Sequence, residues 1–141
     1  MKAFKAYKVS CVDDDHGQTI VFAFRAKDVD RRANSECCDC EFLDVKIRRA
    51  PEFDKYSDRP LTIADYLAEG WFWPCHHCDR QLFQDASPLI VGGYVFCSLE
   101  HLKQSRASWP KHPAGAHDSV LRFCAEVDAY LDGIGGAIPC R

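Results

Sequence analysis

This 141-residue chain has no long apolar run, no excess of one charge and no glycine-rich phosphate loop. The first absence excludes a membrane span, since no stretch approaches the required length. The second argues against a broad phosphate-binding face. The first seventy residues carry 12 Lys/Arg against 14 Asp/Glu, and the rest carry 6 against 7, for a formal net charge of −3. The third, together with the lack of a nucleophile–base motif or an acidic pair of recognisable spacing, leaves no enzyme signature. There is also no internal repeat and no low-complexity segment. The N-terminal stretch Met1-Lys2-Ala3-Phe4-Lys5 has no apolar core of the kind a signal peptide needs.

Cysteine, by contrast, is abundant: nine residues, an odd number. With no export signal and four thiol or imidazole groups at metal-ligand spacing, the expectation is a reduced, cytoplasmic chain that binds zinc. Those groups lie in Cys75-His76-His77-Cys78 and Cys97-Ser98-Leu99-Glu100-His101, a C-x2-C…C-x3-H pattern. Cys75, Cys78, Cys97 and His101 together fill the four positions of a tetrahedral ion, and a filled site is structural because no position stays open for water. One Zn2+ per chain is therefore expected. His76 and His77 lie between two ligands; either could replace a predicted ligand, contact a partner or simply occupy an exposed turn.

The same residues admit three rival readings. Pro74-Cys75-His76-His77-Cys78 matches half of a zinc deaminase signature, but the H-x-E or C-x-E half is absent. A redox C-x-x-C would leave Cys97 and His101 unexplained. An HNH-type nuclease would activate water with His76, His77 or His117, yet the sole asparagine, Asn34, completes no His-Asn-His set.

Hydropathy patterning organises the remainder. Residues 3–12 and 18–24 read as strands around Asp13-Asp14-Asp15-His16-Gly17, whose residues suit a solvated turn. Their oxygens do not follow calcium-loop spacing. Ala26, Val29, Ala33 and Cys37 follow helical spacing over 26–37, and Phe42–Arg48 alternates as a strand with one wet face. The result is a β-β-α-β unit over residues 1–56, expected as three antiparallel strands under one helix. Cys37, Cys38 and Cys40 are either small buried hydrophobes or part of a second metal site completed by His16 or Cys11.

Residues 49–61 read as a charged connector. The expected segment 57–74 holds connector and a short helix capped by Thr62 and stopped by Gly70. The Trp71-Phe72-Trp73 cluster should pack between the halves or over the metal. Residues 75–107 form the zinc-binding unit: a knuckle, a hairpin across Gly92-Gly93 and a helix capped by Ser98. In that order they resemble a treble-clef zinc finger. Residues 108–141 supply a last helix and tail. Its stripe of Val120, Phe123, Cys124, Val127, Tyr130 and Leu131 serves as core or, alternatively, as a homodimer seam. The fold class is α+β, and one compact domain overall is expected.

A resemblance of a different kind covers about residues 1 to 56. Thr19-Ile20-Val21-Phe22-Ala23, Lys27, the run from Cys38 through Arg48, and above all Arg49-Ala50-Pro51-Glu52-Phe53-Asp54 resemble a group of small, uncharacterised bacteriophage and prophage proteins. No activity is assigned to that group, so the resemblance implies no catalytic residue. It implies a phage accessory protein of the bacterial cytoplasm. With the closed ligand set and the lack of an enzyme signature, the leading expectation is a non-enzymatic protein that binds a host or phage protein, as in host takeover or anti-defence. Nucleic-acid binding through the finger, with a patch of His101, Lys103, Arg106, Lys111, His112 and His117, is the first alternative. A metal-dependent hydrolase or nuclease is the second.

Overall fold

The computed structural model describes residues 3–11, 18–30, 45–109 and 118–134. The chain divides into two compact units, Met1–Leu61 and Thr62–Arg141. The fold is α+β, with small antiparallel sheets and a C-terminal helix.

In Met1–Leu61, strand β1 (Lys5–Cys11) is central, flanked by β2 (Gln18–Ala23) and β3 (Val45–Arg49), both antiparallel to it. Alternation decides which side chains meet. Val9 lies opposite Thr19 on one side and Ile47 on the other, and Tyr7 opposite Val21 and Arg49. Tyr7, Val9, Ala23 and Val29 form a buried cluster, with Val21, Val45 and Ile47 packed against it. Lys46 and Arg48 occupy the alternate positions of β3, Lys46 half-buried like Val45 and Ile47 and Arg48 exposed, so the expected alternation of burial is not seen along this strand.

Two expectations change here. A helix over 26–37 does not start as a continuous element. Ala26–Asp28 is a single 3-10 turn, and Val29 follows in extended conformation, φ −71° and ψ 130°. The Arg25 guanidinium holds both Asp28 carboxylate oxygens at 2.8 and 3.0 Å, which closes that one turn. Val29 then enters the sheet's apolar cluster. Residues 31–44, including Cys37, Cys38 and Cys40, lie outside the described residues, as does His16. Cys11 is disulfide-bonded, so the expectation of a fully reduced chain does not hold at that residue, and its sulfur is not a free thiolate for a second metal site.

The second change concerns the charged connector. Its first part is ordered: Pro51–Tyr56 is a 3-10 helix with proline at its start, and Phe53 is fully buried. The Asp54 carboxylate accepts the Ala6 N–H at 2.7 Å and an Arg49 N–H at 2.9 Å. Arg49 also donates to the Ala6 carbonyl at 2.7 Å. Hydrogen bonding to Arg49 holds the Asp54 carboxyl below its ordinary value, against the opposing effect of burial, with the Ala6 N–H helping. The run Arg49-x-Pro51-x-x-Asp54 therefore locks the 3-10 turn to the central strand.

In Thr62–Arg141, Thr62 and Asp65 form a capping box at the start of α1 (Ile63–Ala68). Asp65 accepts the Thr62 N–H at 2.8 Å and its hydroxyl at 2.9 Å. Short strands follow: β4 (Trp73–Pro74) pairs with β5 (Gln81–Leu82), and β6 (Leu89–Val91) with β7 (Tyr94–Phe96). Gly92 and Gly93 join β6 to β7 with φ +62° and +77°, the two positive values a tight hairpin requires. Helix α2 (Leu99–Ala107) is capped by Ser98, and α3 (Asp118–Gly133) closes the unit.

The apolar stripe of α3 is core. Phe123, Cys124 and Val127 are buried with Leu82, Val91, Val95, Phe96 and Leu102. A Cβ at Gly92 would stand 3.0 Å from the Phe123 ring, so the hairpin turn lies directly on α3. Arg106 of α2 grips both carboxylate oxygens of Asp128 on α3 at 2.8 and 2.9 Å. The tryptophan cluster divides. Trp71 and Trp73 are half-buried against Tyr66, at ring separations of 5.0 and 5.8 Å, whereas Phe72 is exposed and its ring lies tilted against that of exposed Phe83 at 5.8 Å.

Candidate metal centre

Each member of the Cys/His group is delivered by local backbone rules. Cys75 follows β4 and opens a tight knuckle. Its N–H donates to the Arg80 carbonyl at 2.8 Å, and the Asp79 N–H donates back to the Cys75 carbonyl at 2.9 Å. Asp79 takes φ +59°, a left-handed conformation that aspartate tolerates and that turns the chain after Cys78. The His76 N–H donates to the Val95 carbonyl at 2.8 Å, pinning the knuckle to β7. Cys97 comes immediately after β7. The Ser98 hydroxyl accepts the His101 N–H at 3.2 Å, which starts α2 and sets His101 in its first turn.

These elements bring Cys75, Cys78, Cys97 and His101 together, with all four donor atoms within 4.8 Å of one another. Cys75 Sγ stands 3.9 Å from His101 Nδ1, and Cys78 Sγ stands 3.9 Å from Cys97 Sγ. A tetrahedral ion with metal–sulfur bonds of about 2.3 Å has sulfur–sulfur edges of about 3.8 Å, so these separations fit. The Cys97 Sγ to His101 Nδ1 distance, 2.8 Å, is shorter than such an edge. This group could hold a metal ion. Neither His76 nor His77 belongs to it.

The electrostatics favour a cation. Burial by itself would raise the Cys75 thiol. The N–H groups of Cys97, Cys78 and His77, with His101, outweigh it and bring the pKa down to about 6. The Cys97 N–H reaches Cys75 Sγ at 3.4 Å. Cys97 moves the other way: burial raises its pKa, and the adjacent sulfurs of Cys75 and Cys78 add to the rise. Three crowded thiols resist common ionisation, and a bound dication would relieve that repulsion while the backbone N–H groups form its outer shell.

The two knuckle histidines have different surroundings. His76 packs over Tyr94 at 4.3 Å, with Phe123 at 5.8 Å, Phe96 at 5.9 Å and Trp109 at 6.4 Å. Burial there lowers its pKa, opposed by Asp79 and reinforced by His77. Both histidines remain exposed, and the His77 ring lies 4.8 Å from that of His101.

Of the expected basic patch, His101 is one of the four donors and Arg106 is engaged by Asp128. Lys103 is half-buried, and Lys111, His112 and His117 lie outside the described residues. Among the described residues, no helix is long and apolar enough to cross a membrane. No protein-family model, curated protein or solved structure matches this chain.

Proposed function

We propose that this is a non-enzymatic binding protein, a phage-type accessory factor of the bacterial cytoplasm, whose Cys75, Cys78, Cys97 and His101 hold one structural zinc. The observation that carries the reading is the closed donor set: four protein groups converge within 4.8 Å, three of them sulfur. Three thiolates and an imidazole are a soft set that suits zinc better than hard cations, and four protein donors leave no open position for a reactive water. Bound there, zinc would supply cross-linking rather than Lewis-acid chemistry. Cys75 and Cys78 would tie the knuckle, and Cys97 and His101 the start of α2.

Binding is assigned to a host or phage protein. Phe72 and Phe83 support this, since both are about 45% exposed and sit as a pair beside the half-buried Trp71 and Trp73. Exposed aromatics of this kind are enriched where protein partners dock. The nucleic-acid reading is less favoured, because the Arg106 guanidinium is already held by Asp128.

The metal is tested by elemental analysis, with about one zinc per chain expected, and by the spectrum of the cobalt-substituted protein. Four protein ligands without exchangeable water support the reading; an exchangeable water would favour the hydrolase alternative. For binding, the full chain and a Phe72→Ser/Phe83→Ser variant are compared as bait in host lysate. Equal capture of the same partner by both would remove this surface from the proposal.

A further inference from the structure

The four donors differ in how far solvent reaches them. Cys75 is fully buried and its sulfur accepts the Cys97 N–H. Cys78 is exposed on the knuckle, Cys97 is half-buried at the mouth of α2, and their sulfurs are 3.9 Å apart. We propose that Cys78 and Cys97 are an oxidation site. A peroxide joins them in a disulfide, which takes two of the four donors from the metal and discharges it. The proposal rests on the metal reading above.

The chemistry balances with a hydroperoxide as the oxidant. The Cys78 thiolate attacks one peroxide oxygen. The O–O bond breaks, leaving a sulfenic acid on Cys78, and the departing oxygen takes a proton to become water, or an alcohol from an alkyl peroxide. The Cys97 thiolate then attacks Cys78 Sγ, the S–O bond breaks, and the hydroxide leaves with a proton as water. Two thiolates lose two electrons, and the peroxide gains them.

Geometry selects the pair. The sulfurs must close from 3.9 Å to a bond of about 2.05 Å. The exposed tip of the knuckle can supply that movement more readily than Cys75, which sits in the core. The disulfide would connect the same two elements that the metal connects, knuckle and α2. Oxidised protein should therefore stay cross-linked where chelated protein does not.

The test begins with elemental analysis of the full chain as purified, followed by titration with hydrogen peroxide in the presence of a chromogenic zinc chelator. A protein without metal at the first step would overturn the metal reading and the switch together. A metal-loaded protein isolates the switch. The expected result is full release of the metal, a mass loss of two hydrogen atoms, and a Cys78–Cys97 linkage by tandem mass spectrometry, with metal rebinding after reduction by dithiothreitol. Retention of metal under excess peroxide, or a Cys75–Cys78 linkage, would overturn the proposal. Cys78→His keeps four donors, and its release by peroxide should slow by about tenfold or more; an unchanged rate would also overturn it. Should that variant fail to fold, the linkage mapped in the unaltered protein decides.

Discussion

The sheet of Met1–Leu61 is built from strands of seven, six and five residues, whereas the sheets of Thr62–Arg141 have strands of two or three. The first unit can hold itself together by ladder hydrogen bonds and a continuous apolar face. The second cannot, because strand pairs that short are not stable alone. It compensates with two cross-links of other kinds: the packing of Phe123 and Val127 from α3, and the convergence of Cys75, Cys78, Cys97 and His101. A side-chain cluster takes the place of backbone pairing where the elements are too short to pair well.

The largest test of this contrast is metal removal. Structural zinc in small fingers contributes on the order of 10 kcal/mol to folding. Chelation, or Cys78→Ser, should abolish protection from hydrogen exchange around 73–107 while leaving β1, β2 and β3 protected. Equal loss in both units would break the comparison. Next come the cores. Phe123→Ala and Phe53→Ala should each cost about 3–5 kcal/mol, the former lowering the melting transition of Thr62–Arg141 and the latter that of Met1–Leu61. Gly92→Ala introduces a Cβ against Phe123 at a left-handed position and should cost about 1–3 kcal/mol, confined to the second unit in a denaturant titration.

Acid should separate the units as well. Cys75 and Asp54 both have lowered pKa values, so each contributes stability above its ordinary value that is lost as pH falls through the folded one. The Asp54 contribution persists down to the ordinary carboxylate value of 3.8 and fades below it. With metal bound, protons must compete with the ion, and the transition of the second unit moves to lower pH. The smallest effect belongs to Asp54→Ala, about 1 kcal/mol, because the Arg49 pair is partly exposed. It should be measurable by denaturant midpoint in Met1–Leu61 alone.

Much of this organisation was legible in the residues. Thr62 before Ile63, Ser98 before Leu99 and Gly92-Gly93 between apolar triplets act through local backbone chemistry, which is why caps and hairpin fall where the sequence put them. The spacing of Cys75, Cys78, Cys97 and His101 carried the candidate site for the same reason: a knuckle and one helical turn each set two donors. Phe53 and Asp54 read locally as connector, because nothing near them in sequence shows that Asp54 accepts the N–H of Ala6, 48 residues earlier. Over the described residues 26–30 the expected helix is a single 3-10 turn, because small residues at helical spacing do not show that Val29 packs into the sheet's apolar cluster.

By itself, then, the sequence determined the short-range devices: the strands β1 to β3, the caps, the hairpin and the two halves of the donor set. Only the tertiary structure decided that the halves meet with Cys75 buried and Cys78 exposed, that the His76 ring lies by Tyr94 and Phe123 while the His77 ring lies by His101, and that Arg106 is held by Asp128. The physical reason is range. Dihedral preferences and capping act within a turn or two, whereas burial and partnering depend on which distant surface packs over each side chain, and no pattern within one segment contains that surface.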